Sequence, residues 1–468
     1  MQRIIPLVLL LSLVAVACGT VEDAADSALD AAADAVLADS EEAGDAESGD
    51  AAQTAPDDPD AGTGDSGAVD DRLPQEIEGE KVTFNPPLEG PFDTSGGITF
   101  DPATAEGVIV EDASASPLAA QYPSWPTDWT RRTVADWSEF LAGLRSSDPR
   151  DGIPPIDVPV FESVSLASEW LSRNEPGALV RINGEARFYP LSIMTAHEIV
   201  NDAFGDVPIS VTYCPLCNTA LAFDRRVNGE VLDFGVSGLL RNSDLVMWDR
   251  QTTSLWQQVT GESVIGEFAG AQLEPISTSI VSFEQFAEDF PDGLSLAAES
   301  ARGRSAYGTN PYQGYSSSAS PFLFQGSIDD RLPALSRVVG VTEGDAQAAY
   351  SFERLAAEQV INDESNGVPI VVFHGGLTTD ALDQGSIAAS QNIGTGIAHD
   401  PVVDGNTLTF TANGDDTFTD DQTGSTWSIL GVAINGELAG TELATLEHRN
   451  EFWFAWAAFF GPDNLRES

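Results

Sequence analysis

The clearest pattern in the chain is the β-branched run Val207-Pro208-Ile209-Ser210-Val211-Thr212-Tyr213, which ends on Cys214-Pro215-Leu216-Cys217. It reads as a strand. Residues 220–227 and 230–237 then alternate around Asn228-Gly229, the strongest short-range hairpin signal a sequence offers. Elsewhere the apolar spacing is helical. At 133–144, Val134, Trp137, Phe140, Leu141 and Leu144 fall on one side of a helix. Residues 166–172 and 191–204 read as further helices, 283–290 as a short one, and the aromatic run 452–460 as a buried final helix. Short strand-like pieces at 81–84, 98–100 and 107–111 lie among Pro, Gly and Asp, which predicts an irregular β-rich first segment.

The same patterns recur. Residues 199–213 read IVNDAFGDVPISVTY, and residues 360–374 read VINDESNGVPIVVFH. The likeness continues in order. Val227-Asn228-Gly229 with Leu232 and Phe234 matches Val403-Asp404-Gly405 with Leu408 and Phe410. Asp249, Gln251, Thr252, Ser254 and Trp256 match Asp420, Gln422, Thr423, Ser425 and Trp427. Finally, 266–270 matches 436–440. Four blocks in the same order indicate a duplication, 177–275 and 338–447. Each copy reads as helix, strand, hairpin and further strands, too long for a solenoid unit. The expected fold is therefore α+β, with duplicated, β-rich, pseudo-symmetric halves packed on a shared core. Around the copies lie 73–176, a β-rich first segment with helices, 276–337, a connecting loop region, and 448–468, an aromatic C-terminal helix.

Composition changes the picture at the N-terminus. Arg3 precedes an apolar run at 4–16 that is too short to span a bilayer comfortably, and the run closes on Ala15-Val16-Ala17-Cys18. This looks like a bacterial lipobox, so 1–18 is expected to be a lipoprotein signal, with Cys18 lipidated and the mature chain anchored to a membrane by that lipid. Residues 19–72 are dominated by Ala, Asp, Glu, Gly and Ser and carry no Lys. Such a segment buries too little apolar surface to offset chain entropy and is expected to be a disordered acidic tether. With 74 acidic against 21 basic residues, the chain has a formal net charge of −53. That balance excludes nucleic-acid binding through general electrostatics.

Two of the three cysteines form the Cys214/Cys217 pair. A c-type haem site is excluded because Asn218 stands where His is needed. A thioredoxin site needs a helix directly after the first cysteine, and here a hairpin follows. Three readings remain. The pair is a redox-active dithiol on another fold, with His197 as proton donor or acceptor. It is a metal site for copper or zinc, in which His374, beside the position matching Tyr213, joins Cys214 and Cys217. Or it is a structural disulfide or a pair of buried thiols. Neither thiol has a counterpart in the second copy, where Gly375 and Thr378 fall, and His197 is matched by Glu358. His399 is expected to be exposed in an Asp-rich loop. The stretch 307–315, rich in Tyr, reads as a loop and a candidate contact for a sugar or peptide.

Asp151-Gly152-Ile153-Pro154, Tyr189-Pro190-Leu191, His197-Glu198-Ile199-Val200-Asn201-Asp202 and Tyr213-Cys214-Pro215-Leu216-Cys217 together resemble a bacterial family catalogued as domain of unknown function 3179. The strings 234–238, 245–250, 254–256 and 452–456 extend the likeness over roughly 150–460. Asn218 and Gly461 depart from the residues common in that family. The resemblance implies no established activity. Some relatives carry selenocysteine at the thiol motif, which favours redox chemistry. The leading expectation is thus an extracytoplasmic, lipid-anchored protein with a Cys214/Cys217 redox centre and an unknown redox partner or small-molecule ligand. Metal binding through Cys214, Cys217 and His374 is the alternative, and a binding module with a structural disulfide is the third reading.

Overall fold

The computed structural model describes residues 75–77, 81–83, 92 and 94–467, apart from 301–302 and 304–306. The signal at 1–18 with Cys18, and the tether at 19–72, lie outside the described residues. Among the described residues no helix is long and apolar enough to cross a membrane.

The expected α+β architecture is corrected. Of the described residues 38% are in strands and 15% in helices, in a five-bladed, propeller-like arrangement. Among the described residues no α-helix exceeds seven residues, the length of Leu191–His197, Phe283–Asp289, Phe352–Glu358 and Trp453–Phe459. The helix expected at 133–144 is instead a 3-10 turn, Trp137–Glu139, leading into the strand Phe140–Ala142. The helix expected at 191–204 stops at His197. Glu198 takes a left-handed conformation, φ 58°, and Ile199–Phe204 is a strand. Every residue of that strand is buried. A strand covered on both faces shows no alternation, so spacing alone does not separate it from a helix.

Four antiparallel strands carry the thiols. Val207–Cys214 lies between Ile199–Phe204 and Thr219–Asp224, with Pro275–Ile276 at the edge. The Asn228-Gly229 turn has φ of 54° and 80°, as a two-residue hairpin turn requires. It closes only a two-residue ribbon, Arg226–Val227 with Glu230–Val231. The longer flanking strands pair elsewhere, and Phe234–Arg241 forms its main hairpin with Asp244–Asp249.

Residues repeated in the sequence make matching contacts. Asn201 exchanges two hydrogen bonds with the backbone of Phe234, as Asn362 does with Phe410. Tyr189 donates to Asp202, and Tyr350 to Asp363. Trp256 Nε1 donates to Asp249 at 2.9 Å, and Trp427 Nε1 to Asp420 at 3.0 Å. These are buried polar groups paired in the same way twice. The expected single shared core is not what forms around them. Separate apolar clusters lie between successive sheets, one around Tyr213, Trp256 and Phe452, another around Phe188, Phe373 and Trp427. In a propeller-like arrangement each sheet buries both faces against its neighbours, which divides the core.

Candidate functional site

Cys214 ends its strand opposite Thr219, and Pro215-Leu216 turns the chain so that Cys217 comes back beside it. Cys214 is 2% exposed and Cys217 is fully buried. Both are free thiols. The third member is Asp244, also fully buried. One ligand atom from each of Cys214, Cys217 and Asp244 lies within 4.8 Å of the others.

The tip of the neighbouring hairpin delivers Asp244. Arg241 pairs with Asp244 across Asn242-Ser243, whose φ values are 51° and 66°. Neither is glycine, so this turn holds unfavourable backbone geometry over the thiols. It aims the Ser243 carbonyl at both sulfurs, 3.8 Å from Cys214 and 3.5 Å from Cys217. Asp244 Oδ2 is anchored by Gln257 Nε2 at 2.5 Å and by the Val259 N–H at 2.9 Å. Its Oδ1 is buried and has no hydrogen-bond partner.

Two further carboxyl groups stand around this trio. Glu451 is fully buried, and neither of its carboxyl oxygens has a partner. Glu198 is 6% exposed. Burial pushes Asp244 up to about 6. Burial, reinforced by Asp244, pushes Glu198 up to about 8, and burial takes Glu451 to about 8 against the pull of Arg449. Burial also raises both thiols, Cys217 more than Cys214. Burial therefore favours the protonated forms of the thiols, Glu198 and Glu451 at neutral pH.

The Tyr-rich loop covers the site. Tyr315 donates to the Leu216 carbonyl at 3.0 Å and accepts from the Phe322 N–H. Ser243 Oγ donates to the Phe322 carbonyl. The Cys217 carbonyl accepts from the Phe452 N–H at 2.9 Å.

The expected histidines lie apart from this cluster. His197 Nδ1 faces the Pro154 carbonyl at 2.7 Å, so it carries the proton, and Nε2 accepts from the Tyr307 hydroxyl at 2.8 Å. His374 donates from Nε2 to the Ile393 carbonyl at 3.2 Å and packs edge-on against Phe352. It is not part of the Cys214–Cys217–Asp244 group. His399 is fully buried rather than exposed, because it ends a core strand and donates to the Ile429 carbonyl. Spacing in the sequence missed Asp244, Glu198 and Glu451. Asp244 stands 27 residues beyond Cys217, one acid among 74. Its only local signal is Asn242-Ser243, a two-residue turn that places the following side chain.

No curated protein and no solved structure was found to match the chain. The model of one family does match it over residues 150–463, about two thirds of its length, and that family is described as a protein of unknown function, DUF3179. By that match the chain belongs to the DUF3179 family.

Proposed function

We propose that this protein binds a borderline divalent cation of the zinc class through Cys214, Cys217 and Asp244. It does so on the outer side of a bacterial membrane, to which a lipid on Cys18 tethers it. One observation carries the reading: three groups able to ligate a metal converge within 4.8 Å in a fully buried site, and beyond the two thiols that face the Asp244 carboxylate its Oδ1 has no partner. An unpaired buried carboxylate oxygen is costly, and a cation removes that cost. Two thiolates and a carboxylate suit zinc, whereas copper(I) favours an all-sulfur set. Three protein ligands are one short of the four that a tetrahedral zinc site uses. Elemental analysis of the exported full-length protein beside a Cys214→Ser/Cys217→Ser variant tests this. About one zinc per chain in the native protein and none in the variant is the expected result. Equal metal content in both rules the reading out.

The second reading is a redox-active dithiol. Its support is the two sulfurs side by side on one four-residue turn. Against it, burial raises both thiols away from the reactive thiolate, and the His197 nitrogens are taken by Pro154 and Tyr307. Equilibration of metal-free protein with dithiothreitol at graded redox potentials separates the two. A disulfide that interconverts near the poise of the cell envelope supports the dithiol.

A further inference from the structure

The two copies allow each residue of the thiol site to be matched with a residue where no thiols are present. The Tyr213 N–H donates to the Glu198 carbonyl at 2.7 Å, and the His374 N–H donates to the Gln359 carbonyl at 2.8 Å. Glu198 and Gln359 follow equivalent helices and share the left-handed conformation, φ 58° and 63°. Gln359 is therefore the counterpart of Glu198. Strand register supplies the other match. Ala178 faces Tyr189 and Val339 faces Tyr350. Two residues earlier in the same strands, Pro176 faces Ser282 and Arg337 faces Phe452. Val281 is then the counterpart of Glu451. So where Cys214 and Cys217 give way to Gly375 and Thr378, Glu198 gives way to the uncharged Gln359. Glu451 lies on the strand that closes the second copy and reaches the thiol site from there, while the first copy has Val281 at that place. The shared fold requires neither acid, and Glu198 is the one that accompanies the thiols in the same copy.

Of the two, Glu198 is placed to act. Its backbone is held by the Met194 carbonyl and by the N–H of Tyr213, the residue before Cys214, so its position is locked to the first thiol. Its carboxyl group has no hydrogen bond or ion pair among the described residues, although the residue is more than nine-tenths buried. It is close enough to Asp244 and Cys214 for their charges to interact. At 6% exposure it is also the outermost of the five acidic groups, and half-buried Tyr312 stands beside it.

We propose that Glu198 is the fourth ligand, closing the cation centre as a set of two thiolates and two carboxylates. This rests on the metal-binding reading above. Its carboxylate lies outside the 4.8 Å group and joins it by turning its own side chain, with the backbone unchanged. The cation meets Glu198 first, then Cys214, with Asp244 and Cys217 innermost. Glu451 stays outside the coordination sphere as a buried counter-charge.

The test is cobalt(II) substitution in the full-length protein, read by absorption spectroscopy, with zinc affinity measured by competition against a chelator. The native protein is expected to show sulfur-to-cobalt charge transfer and the intense d–d bands of four-coordinate cobalt. Glu198→Gln should keep the charge transfer, weaken and shift the d–d bands, and lower zinc affinity by about ten- to a hundredfold. Because Gln359 already occupies the same conformation, this variant is expected to fold, and its unfolding curve checks that it does. Glu451→Gln should leave the d–d bands in place. An unchanged spectrum and affinity in Glu198→Gln overturn the proposal, as does a changed d–d spectrum in Glu451→Gln. Absence of charge transfer in the native protein overturns the metal reading itself.

Discussion

The first copy ends its central strand on Tyr213-Cys214 and the second ends its own on His374-Gly375. Around both strand ends the scaffold is alike. An Asn clamps the next strand's backbone, a Tyr–Asp pair lies below, and a Trp–Asp pair fixes the following sheet. What differs is the end itself. At the first copy's strand end two thiols and three carboxyl groups, one of them Glu451 from the strand that closes the second copy, crowd a buried space with few hydrogen-bond partners. In the second, Asp416 from the matching hairpin fills the space beside Gly375 and accepts the Gly376 N–H at 2.9 Å. In the second copy the carboxylate beside the strand end is paired with a backbone N–H, while in the first copy Asp244 Oδ1 and both Glu451 oxygens are left without partners. Unpaired buried acceptors call for a partner such as a water or an ion.

The largest predicted effect falls on what the copies share. Asp249→Ala and Asp420→Ala each strip a Trp Nε1, a Thr N–H and a Thr hydroxyl of their acceptor. Each should lower unfolding free energy by about 3 kcal/mol in urea titrations, without changing the metal content of whatever folds. A loss confined to one copy breaks the comparison.

Next comes a graft. A Cβ at position 375 runs into the Asp416 carboxylate. Gly375→Cys should therefore cost about 2 kcal/mol by overpacking and, even with Thr378→Cys added, bind no second metal. A second bound zinc would mean that thiols alone define the site.

A smaller effect is expected from pH. Glu198 and Glu451 titrate near 8 in the folded protein and near the ordinary 4.5 when unfolded. The native state then holds more protons across that window, so stability is full below pH 4.5 and falls as pH rises towards 8. Each pKa unit of elevation corresponds to about 1.4 kcal/mol. The urea midpoint of metal-free protein should be lower at pH 8 than at pH 5, and the Glu198→Gln/Glu451→Gln pair should flatten the dependence. A midpoint that rises over this range contradicts the burial of these acids. The smallest effect is that of Tyr307→Phe, which removes the hydroxyl donating to His197. It should cost about 1 kcal/mol and leave metal binding unchanged, whereas a loss of metal would return His197 to the centre.

The sequence carried the strand ending at Cys214, the Asn228-Gly229 turn and the buried pair Trp256 and Trp427, because each rests on local chemistry or on direct repetition. The fold class was misread where strands are buried on both faces, as at 199–204, and where aromatic spacing imitated a helix, as at 133–144. The third member of the buried cluster stayed hidden for another reason. Asp244 reaches the thiols across a turn whose positive φ values belong to Asn242 and Ser243, and no spacing rule connects it to Cys217. By residue type His374 suits a metal better than Asp244 does, but its Nε2 is spent on the Ile393 carbonyl.

The most direct test of a cation centre confined to the thiol-bearing copy is zinc stoichiometry in two matched variants of the full-length protein, Asp244→Asn and Asp416→Asn. Each keeps an acceptor for the backbone N–H it serves, so both should fold. The expected result is loss of bound zinc in Asp244→Asn and native content in Asp416→Asn. Equal zinc in the two would contradict the account.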